Sequence, residues 1–273
     1  MSAMSATRRI AGHTVLAEIG EGARSTIYAV QHPKTKQVWA LKHVALEDDE
    51  KDDRFLAQVE REYAIGQKLD HPGIRRVRKL IKKRKLLKVE SVSLLMELVD
   101  ATSLDQQLPR SYPEAVDIFK QVADALGHMH EKGFVHADMK PTNVLITEQR
   151  QIRVIDLGQA CPVGTIKKRI QGTPGYIAPE QARRDAVDER TDIYNFGAMM
   201  YWVLVREVIP TAMPPAGGDP SMLSTREVDE IPPPKPPHEI NPMIPAQLSK
   251  LVMDCVQINR EDRPESMAVV GME

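Results

Sequence analysis

The chain has 273 residues, enough to bury a sizeable core in one or two domains, and its formal net charge of −1 gives no overall attraction to nucleic acid or membrane. Two cysteines, Cys161 and Cys255, are too few for a disulfide framework and suit a reducing compartment. Residues 1–9 lack the apolar core of a signal peptide. The longest apolar run, Phe196 to Val205, is too short to span a bilayer and predicts a buried helix.

The first predicted elements are two strands joined by a glycine-containing turn. Residues 19–27 read IGEGARSTI, with Gly20 and Gly22 at the turn. Glycine lets a backbone approach a phosphate closely. A glycine pair is equally ordinary in a hairpin turn, so this segment by itself is weak evidence for a nucleotide site.

A further strand is predicted over Val38–Val44, followed by a helix over Phe55–Leu69. The side-chain period of two places Ala40 and Lys42 on the same face of the strand. A strand with one snorkelling lysine is the plainer alternative for this face, and the segments farther along the chain disfavour it.

Two charge runs follow different patterns. The basic run from Arg75 to Lys88 is interleaved with apolar residues and predicts a strand pair whose tip projects residues 82–85 into solvent. Most charge runs are solvated faces, but an acidic partner, a lipid surface or nucleic acid remain open as ligands. The acidic run from Glu47 to Asp53 is expected to lead into the helix, and surface pairs between the two runs would contribute little.

Beyond residue 100 the pattern becomes helical. Ser111 to Glu114 form a capping-box start with proline in the first turn, and apolar residues then recur at helical spacing until Gly133. Residues 210–245 are proline-rich and aperiodic, which predicts an extended loop with at most a short helix. A plain loop is favoured there over a partner-docking segment.

The strongest chemical signal lies at residues 136–143, HADMKPTN, with Asp156 thirteen residues after Asn143. Phosphoryl transfer depends mainly on positioning and on neutralising phosphate charge. Asp138 can orient a hydroxyl and accept its proton, and Lys140 can steady the transferred phosphate as a point charge. Asn143 and Asp156 offer the oxygen ligands that Mg²⁺ prefers. Ordinary polar loop residues are the alternative, which the remaining segments disfavour.

Together these segments resemble the eukaryotic-like (Hanks-type) serine/threonine protein kinases, in the family's order, from about Ile10 to Val270. Residues 172–180, GTPGYIAPE, resemble the end of an activation segment, and the sequence YIAPEQ is typical of bacterial members. The resemblance implies an α+β, bilobal kinase fold after a flexible terminus at residues 1–9. Its small, mainly antiparallel β-lobe with helix C would span residues 10–98, and its larger, mainly helical lobe residues 99–273.

The resemblance also implies individual roles. Asp138 would be the catalytic base, assisted by Lys140, Thr173, and Lys42 paired with Glu62. The competing Glu60 would project from a different face of the helix. Asn143 and Asp156 would bind Mg²⁺, or alternatively Mn²⁺. ATP would be held by Ile19, Gly20, Glu21, Gly22, Ala23, Arg24, Ser25, Ile27, Ala40, Lys42, Met96 as gatekeeper, Glu97, Val99 and Leu145. Asp192 would anchor the catalytic-loop backbone, and Arg263 would pair with Glu180.

Three residues depart from the family pattern. Ser25 replaces the third glycine of the nucleotide loop, which a small side chain tolerates. Ala137 replaces the arginine that normally receives a phosphorylated activation-loop residue, which weakens the case for that switch, although Thr165 stays a candidate autophosphorylation site. Gly66 stands where an apolar side chain normally stacks on the metal-binding turn. We expect a mid-helix glycine there to cost about 1 kcal/mol and helix C to need help from a homodimer or an activator on the small lobe.

Two other classes remain as alternatives. The three departures suggest a nucleotide-binding pseudokinase acting as a scaffold. Pseudokinases commonly lose at least one of five residues that are all present here: Lys42, Glu62, Asp138, Asn143 and Asp156. A small-molecule phosphotransferase shares the lobe plan and a similar catalytic motif, but is not expected to carry residues 172–180. The expectation is therefore a protein kinase with serine or threonine protein substrates and no nucleic-acid partner. We expect it in the cytoplasm, with no membrane segment in this chain, either alone or as the cytosolic domain of a longer, membrane-anchored protein.

Overall fold

A computed structural model describes residues 8–22, 24–46, 52–86, 88–211 and 232–272. Contacts divide the chain into two compact units. The first unit contains the described residues up to Asp70 together with Arg75–Asp100, and the second contains His71–Ile74 and the chain from Ala101 onward. Ala23 and residues 47–51 and 212–231, which take part in the predictions above, lie outside the described residues.

The first unit is a six-stranded antiparallel sheet with one helix, as predicted for the small lobe. The strands are β1 (Arg9–Ile10), β2 (His13–Glu21), β3 (Thr26–Gln31), β4 (Val38–Ala45), β5 (Val77–Lys85) and β6 (Lys88–Met96), and the helix is α1 (Asp52–Gly66). Their order across the sheet is β1-β2-β3-β4-β6-β5. The predicted strand pair of the basic run is therefore confirmed as the β5–β6 hairpin.

Because successive side chains of β4 point to opposite faces of the sheet, the strand contributes to two hydrophobic clusters. Ala40 and Val44 face a cluster that includes Val59 of α1 and Leu94 of β6. Leu41 packs on the opposite face of the sheet. Because Lys42 shares the side of Ala40 and Val44, β4 directs it toward the face that carries α1.

The bounds of α1 differ from the predicted helix over Phe55–Leu69. The helix begins at Asp52, where Asp52 and Asp53 place negative charge in the first turn and so favour the N-terminus electrostatically. It ends at Gly66, after which the Lys68 amide donates to the Ile65 carbonyl at 2.9 Å and tightens the turn. Gly66 is thus the buried last residue of the helix, and the expectation of a mid-helix glycine was wrong.

The second unit is mainly helical. Its helices are α2 (Tyr112–Glu131), α3 (Pro179–Arg183), α4 (Glu189–Val205), α5 (Pro237–Ile240), α6 (Ala246–Cys255) and α7 (Met267–Met272). Short strands accompany them: β7 (Thr102–Ser103), β8 (Phe134–Val135), β9 (Val144–Ile146), β10 (Ile152–Val154), β11 (Cys161–Pro162), β12 (Thr165–Ile166) and β13 (Ala186–Val187). Two sheets arise from β10-β9-β7 and β11-β8, and β12 pairs with β13.

Helix α2 forms as its sequence predicts. The Ser111 hydroxyl accepts a hydrogen bond from the Glu114 amide at 3.3 Å, and Gly133, at φ +77°, lies just beyond the helix end. The reciprocal bond expected of a capping box goes elsewhere, because the Glu114 carboxylate accepts from the Arg110 amide at 2.6 Å.

The predicted buried helix over residues 196–205 is the second half of α4. Phe196 is fully buried and meets Phe119 of α2 edge to face, at 6.1 Å between ring centroids. At Gly197 an added Cβ would lie 2.5 Å from the Cys255 Cβ, so glycine allows α4 and α6 to approach closely. In the described part of the chain no helix is long and apolar enough to cross a membrane. The described end of the proline-rich stretch contains the four-residue helix α5, within the predicted limit.

Candidate active site

The catalytic loop, residues 136–143, connects β8 to β9 in the second unit. Asp138 is buried, and Thr173 donates its hydroxyl proton to Asp138 Oδ1 at 2.8 Å. Lys140 Nζ donates to Thr173 Oγ1 at 2.9 Å and lies 3.1 Å from Asp138 Oδ2. Thr173 therefore bridges Asp138 and Lys140. This triangle holds the carboxylate and the ammonium group side by side.

The two predicted metal ligands, Asn143 and Asp156, lie farther along the chain than Asp138. Asn143 ends a short 3₁₀ turn, and its Nδ2 donates to the Asp138 carbonyl at 2.8 Å. This bond uses the amide nitrogen, so the side-chain oxygen Oδ1 is the atom that could bind a metal ion. Asp156 lies in the left-handed region at φ +63°, a strained conformation that recurs at functional sites. The Ile155 amide bonds the Asn143 carbonyl at 2.9 Å, which ties the two segments together. An amide oxygen and a carboxylate are hard oxygen donors and fit Mg²⁺.

Asp192 of α4 holds the loop through its backbone, as predicted. Its Oδ1 accepts from the Ala137 amide at 2.7 Å, and its Oδ2 accepts from the His136 amide at 2.8 Å and from His130 Nε2 at 2.9 Å. Burial raises the pKa of this carboxyl, but the hydrogen bond and charge of His130 and the hydrogen bond from the Ala137 amide outweigh burial and lower the pKa below its usual range. Asp192 therefore acts as a buried, ionised anchor.

Gln181 and Asn195 support the same loop, and neither was predicted to do so. Gln181 Nε2 donates to the Ala137 carbonyl at 2.9 Å, and its Oε1 accepts from the Ala178 amide and from Asn195 Nδ2, each at 2.9 Å. The sequence feature that could have predicted this contact is Asn195, which lies within an otherwise apolar stretch of α4. A buried side-chain amide must find hydrogen-bond partners.

His136 also helps to position this loop, a role that was not predicted from the sequence. Its Nδ1 accepts from the Asp138 amide at 3.3 Å, so Nε2 carries the proton and donates to the Ile155 carbonyl at 3.1 Å. The ring therefore connects Asp138 to the residue that precedes Asp156.

The predicted pair of Arg263 with Glu180 is confirmed as a buried, two-pronged contact. The two Nη atoms donate to Oε1 and Oε2 at 2.8 and 2.9 Å. Burial raises the pKa of Glu180, but the hydrogen bond and charge of Arg263 outweigh it and lower that pKa below its usual value of 4.5. This pair fastens the end of the activation segment to the chain beyond α6.

In the first unit, Lys42 Nζ donates to Glu62 Oε2 at 2.8 Å, as predicted. Glu62 is buried, whereas Glu60 projects elsewhere and pairs with Lys82 of β5. The structure thus distinguishes two glutamates that are only two residues apart. It assigns the buried one to Lys42.

The other residues predicted to bind the nucleotide occupy several elements. Ile19, Gly20 and Glu21 end β2, Ile27 lies in β3 and Ala40 in β4. The Gly22 amide donates to the Ser25 carbonyl at 2.7 Å, which closes the turn, and Arg24 pairs with Asp52 at 3.2 Å. Met96 ends β6 and is buried in the core, Glu97 and Val99 follow it, and Leu145 is the partly exposed residue of β9 in the second unit.

Ala137 occupies the position of the family's phosphate-binding arginine. It is fully buried at φ +60° and packs in a small apolar cluster with Val135, Cys161 and Val187. Both cysteines are buried and neither forms a disulfide, as expected, and Cys161 packs within this apolar cluster. No charge at position 137 is available to receive a phosphate.

The start of the activation segment is held by pairing of β12 with β13. The Thr165 hydroxyl donates to the Pro162 carbonyl at 2.6 Å, and Lys167 Nζ donates to the Gln159 carbonyl at 2.7 Å. Phosphorylation of Thr165 stays a prediction.

Comparison with known proteins agrees with this geometry. Residues 13–273 match the family model described as the protein kinase domain. The serine/threonine-protein kinase pkn3 of Myxococcus xanthus is 30% identical over 275 residues, covering 93% of this chain and 48% of the relative. The serine/threonine-protein kinase PknB of Mycobacterium tuberculosis is 29% identical over 267 residues, covering 92% of this chain and 40% of the relative. The chain thus spans less than half the length of either relative.

A solved structure shares the fold. The crystal structure of a point mutant of the Mycobacterium tuberculosis PknI kinase domain matches with a TM-score of 0.71 and 24% identity over 99% of this chain and 97% of that one. The predicted bilobal kinase fold is thereby confirmed. Because the family model covers almost the whole sequence, the chain belongs to the protein kinase family, as a catalytic domain of the bacterial, eukaryotic-like serine/threonine class.

Proposed function

We propose that this chain transfers the γ-phosphate of ATP to serine or threonine hydroxyls of protein substrates, with Asp138 as the catalytic base. The observation that carries the proposal is the contact triangle of Asp138, Lys140 and Thr173. A scaffold that only bound nucleotide would have no use for a buried base held by a lysine and a hydroxyl group.

Each residue of the triangle has a distinct role. Asp138 orients the acceptor hydroxyl and takes up its proton as the oxygen attacks. Lys140 offsets negative charge on the transferred group, and Thr173 keeps the base and the lysine in register. In the first unit, Glu62 holds Lys42 extended for the α- and β-phosphates of ATP. Asn143 and Asp156 would hold Mg²⁺, which when bound neutralises charge on the phosphates.

The proposal includes activity without phosphate on the activation segment. The closed cluster around Ala137 offers no cation there, and the β12–β13 pairing orders the segment by backbone hydrogen bonds. A homodimer or an activator on the small lobe stays the proposed source of control, acting on α1 and hence on the Lys42–Glu62 pair. We place the enzyme in the cytoplasm, alone or as the cytosolic domain of a longer, anchored protein.

The test is incubation of the purified chain with γ-labelled ATP and Mg²⁺, with and without a generic protein substrate. Label on serine or threonine should appear, and Asp138→Asn should reduce it by about 10³-fold, the scale of general base catalysis. Mg²⁺ replaced by Ca²⁺ serves as the metal control. Nucleotide binding that requires Lys42 but yields no labelled protein would contradict the proposal and favour the scaffold alternative.

A further inference from the structure

The β5–β6 hairpin concentrates positive charge. From Arg75 to Lys88 the sequence has nine lysine and arginine residues and no acid, in a chain whose net charge is −1. The rest of the chain is correspondingly acidic, so this hairpin is a local basic feature that the proposed phosphoryl transfer does not use.

Some of these basic side chains make contacts within the first unit. Lys82 pairs with Glu60 of α1, and Lys83 pairs with Glu90 of β6 at 3.0 Å. The Arg78 guanidinium lies over the ring of Trp39, 5.2 Å from its centroid. These contacts neutralise or occupy cations along the two strands of the hairpin.

The tip of the hairpin, defined here as Arg84, Lys85 and Leu86, is different. Arg84 and Lys85 are exposed, and within the described ranges neither has a carboxylate partner. A register shift between Lys83 and Arg84 marks a bulge, which bends and twists this end of the ladder. Among the residues that the structure describes, the tip therefore presents cations without an ion-pair partner.

Leu86 makes the tip amphipathic. Its side chain is 95% exposed, and its backbone lies in the left-handed region at φ +54°, where glycine or asparagine is normally preferred. An exposed leucine in this conformation is strained and gains almost no burial within the chain. Such strain is a reason to look for a function outside the folded core.

We propose that the hairpin tip docks on an anionic lipid surface, with Leu86 entering the interface and Arg84 and Lys85 contacting the headgroups. Protection of the edge strand β5 by lysines explains the charges along the strand but not the apolar tip. Nucleic acid would attract the cations but offers the leucine no apolar phase. This contact is independent of the proposed catalysis and would concentrate the chain at a membrane surface.

The experiment is co-sedimentation of the purified chain with vesicles of phosphatidylcholine alone or mixed with phosphatidylglycerol. We expect binding to the anionic vesicles alone, weakened by added salt. Arg84→Gln combined with Lys85→Gln should weaken it by about 25-fold, since each cation near such a surface contributes about fivefold. Leu86→Asn, which suits the left-handed backbone, should weaken it by about tenfold.

The matched control is Lys34→Gln combined with Lys36→Gln, which removes two exposed cations from the turn between β3 and β4 of the same sheet. It should leave vesicle binding within about twofold of the parent, because those cations lie on a different turn. Phosphorylation of a soluble substrate without vesicles should be unchanged in all three variants, which verifies that they fold.

Three results would overturn the proposal: no association with anionic vesicles, equal binding to neutral ones, or loss of binding in the control as large as in the tip variants. Capture by single-stranded RNA or poly-glutamate with the same dependence on Arg84 and Lys85, without vesicle binding, would also reject a lipid ligand. A direct readout is Leu86→Trp, whose fluorescence should shift to the blue with anionic vesicles relative to the parent chain.

Discussion

The catalytic loop of the second unit and Lys42 of the first unit are held in place by different means. The backbone around Asp138 is bonded on both sides of Ala137, by Asp192 at the amide and by Gln181 at the carbonyl. Lys42 is oriented by a side-chain pair with a helix, through Glu62. Backbone anchoring by fully buried groups fixes the loop, whereas a helix that shifts can open a side-chain pair. Asp138 is therefore preorganised, whereas the position of Lys42 is adjustable.

The largest effect is expected from removal of the loop anchor. Asp192→Ala leaves two amides and His130 without their buried acceptor, so we expect a loss of about 3–5 kcal/mol of stability together with most of the activity. Urea unfolding and phosphate transfer measure the two losses. Asp188→Ala, at the N-cap of the same helix, is the control and should cost about 1 kcal/mol with little change in turnover. Equal losses in the two variants would show that Asp192 is merely structural.

Arg263→Leu should cost a similar 3–5 kcal/mol, by rough estimate, at neutral pH, because it leaves the Glu180 carboxylate buried without its partner. In the parent the lowered pKa of Glu180 stabilises the fold above the ordinary value of 4.5, and this stability is lost as the pH falls below that value. In the variant the hydrogen bond and charge of Arg263 are lost, while burial and the hydrogen bonds with Thr191 and the backbone remain, so the pKa of Glu180 is higher than in the parent.

The difference in unfolding free energy between parent and variant should therefore shrink as the pH falls from about 7 toward about 4. Chemical unfolding at a series of pH values measures it. A difference that is constant with pH would mean that Glu180 does not titrate as the geometry requires.

Glu62→Gln tests the adjustable side of the comparison. Loss of the charge that holds Lys42 should reduce kcat/KM for ATP by about 100-fold, the scale of a single preorganised electrostatic contact, while stability changes far less than in Asp192→Ala. The matched control is Glu60→Gln, two residues away, which breaks the exposed pair with Lys82 and should leave activity within about twofold. Similar losses in both variants would contradict the assignment of Glu62.

The smallest expected effect is a gain. If α1 is held inward weakly for lack of a side chain at its buried end, Gly66→Leu should raise basal activity about threefold by shifting the helix toward its paired position. Gly66→Ala is the companion variant if the larger side chain does not fit. Unchanged basal activity in folded variants would remove Gly66 from the account of regulation.

Much of the fold was predictable because its signals are local. The capping residues of α2, the alternation in β4 and the apolar stretch of α4 each lie within one short window, and each element forms as expected. The limits of α1 were misjudged by three residues at both ends, because the acidic residues that start the helix looked like a linker.

The candidate site likewise combines features that could be predicted from local sequence with features that could not. The sequence by itself determined the order and spacing of the candidate catalytic and metal-binding groups, since Asp138, Asn143 and Asp156 lie in one short stretch whose proposed chemistry constrains residue type. Only the tertiary structure decided what holds them: Gln181 reaches a carbonyl 44 positions away, and the Val154 amide bonds the Gly73 carbonyl, which attaches His71–Ile74 to the second unit. A buried amide or carbonyl must find some partner, but which partner depends on how distant segments pack, and no local pattern records that choice.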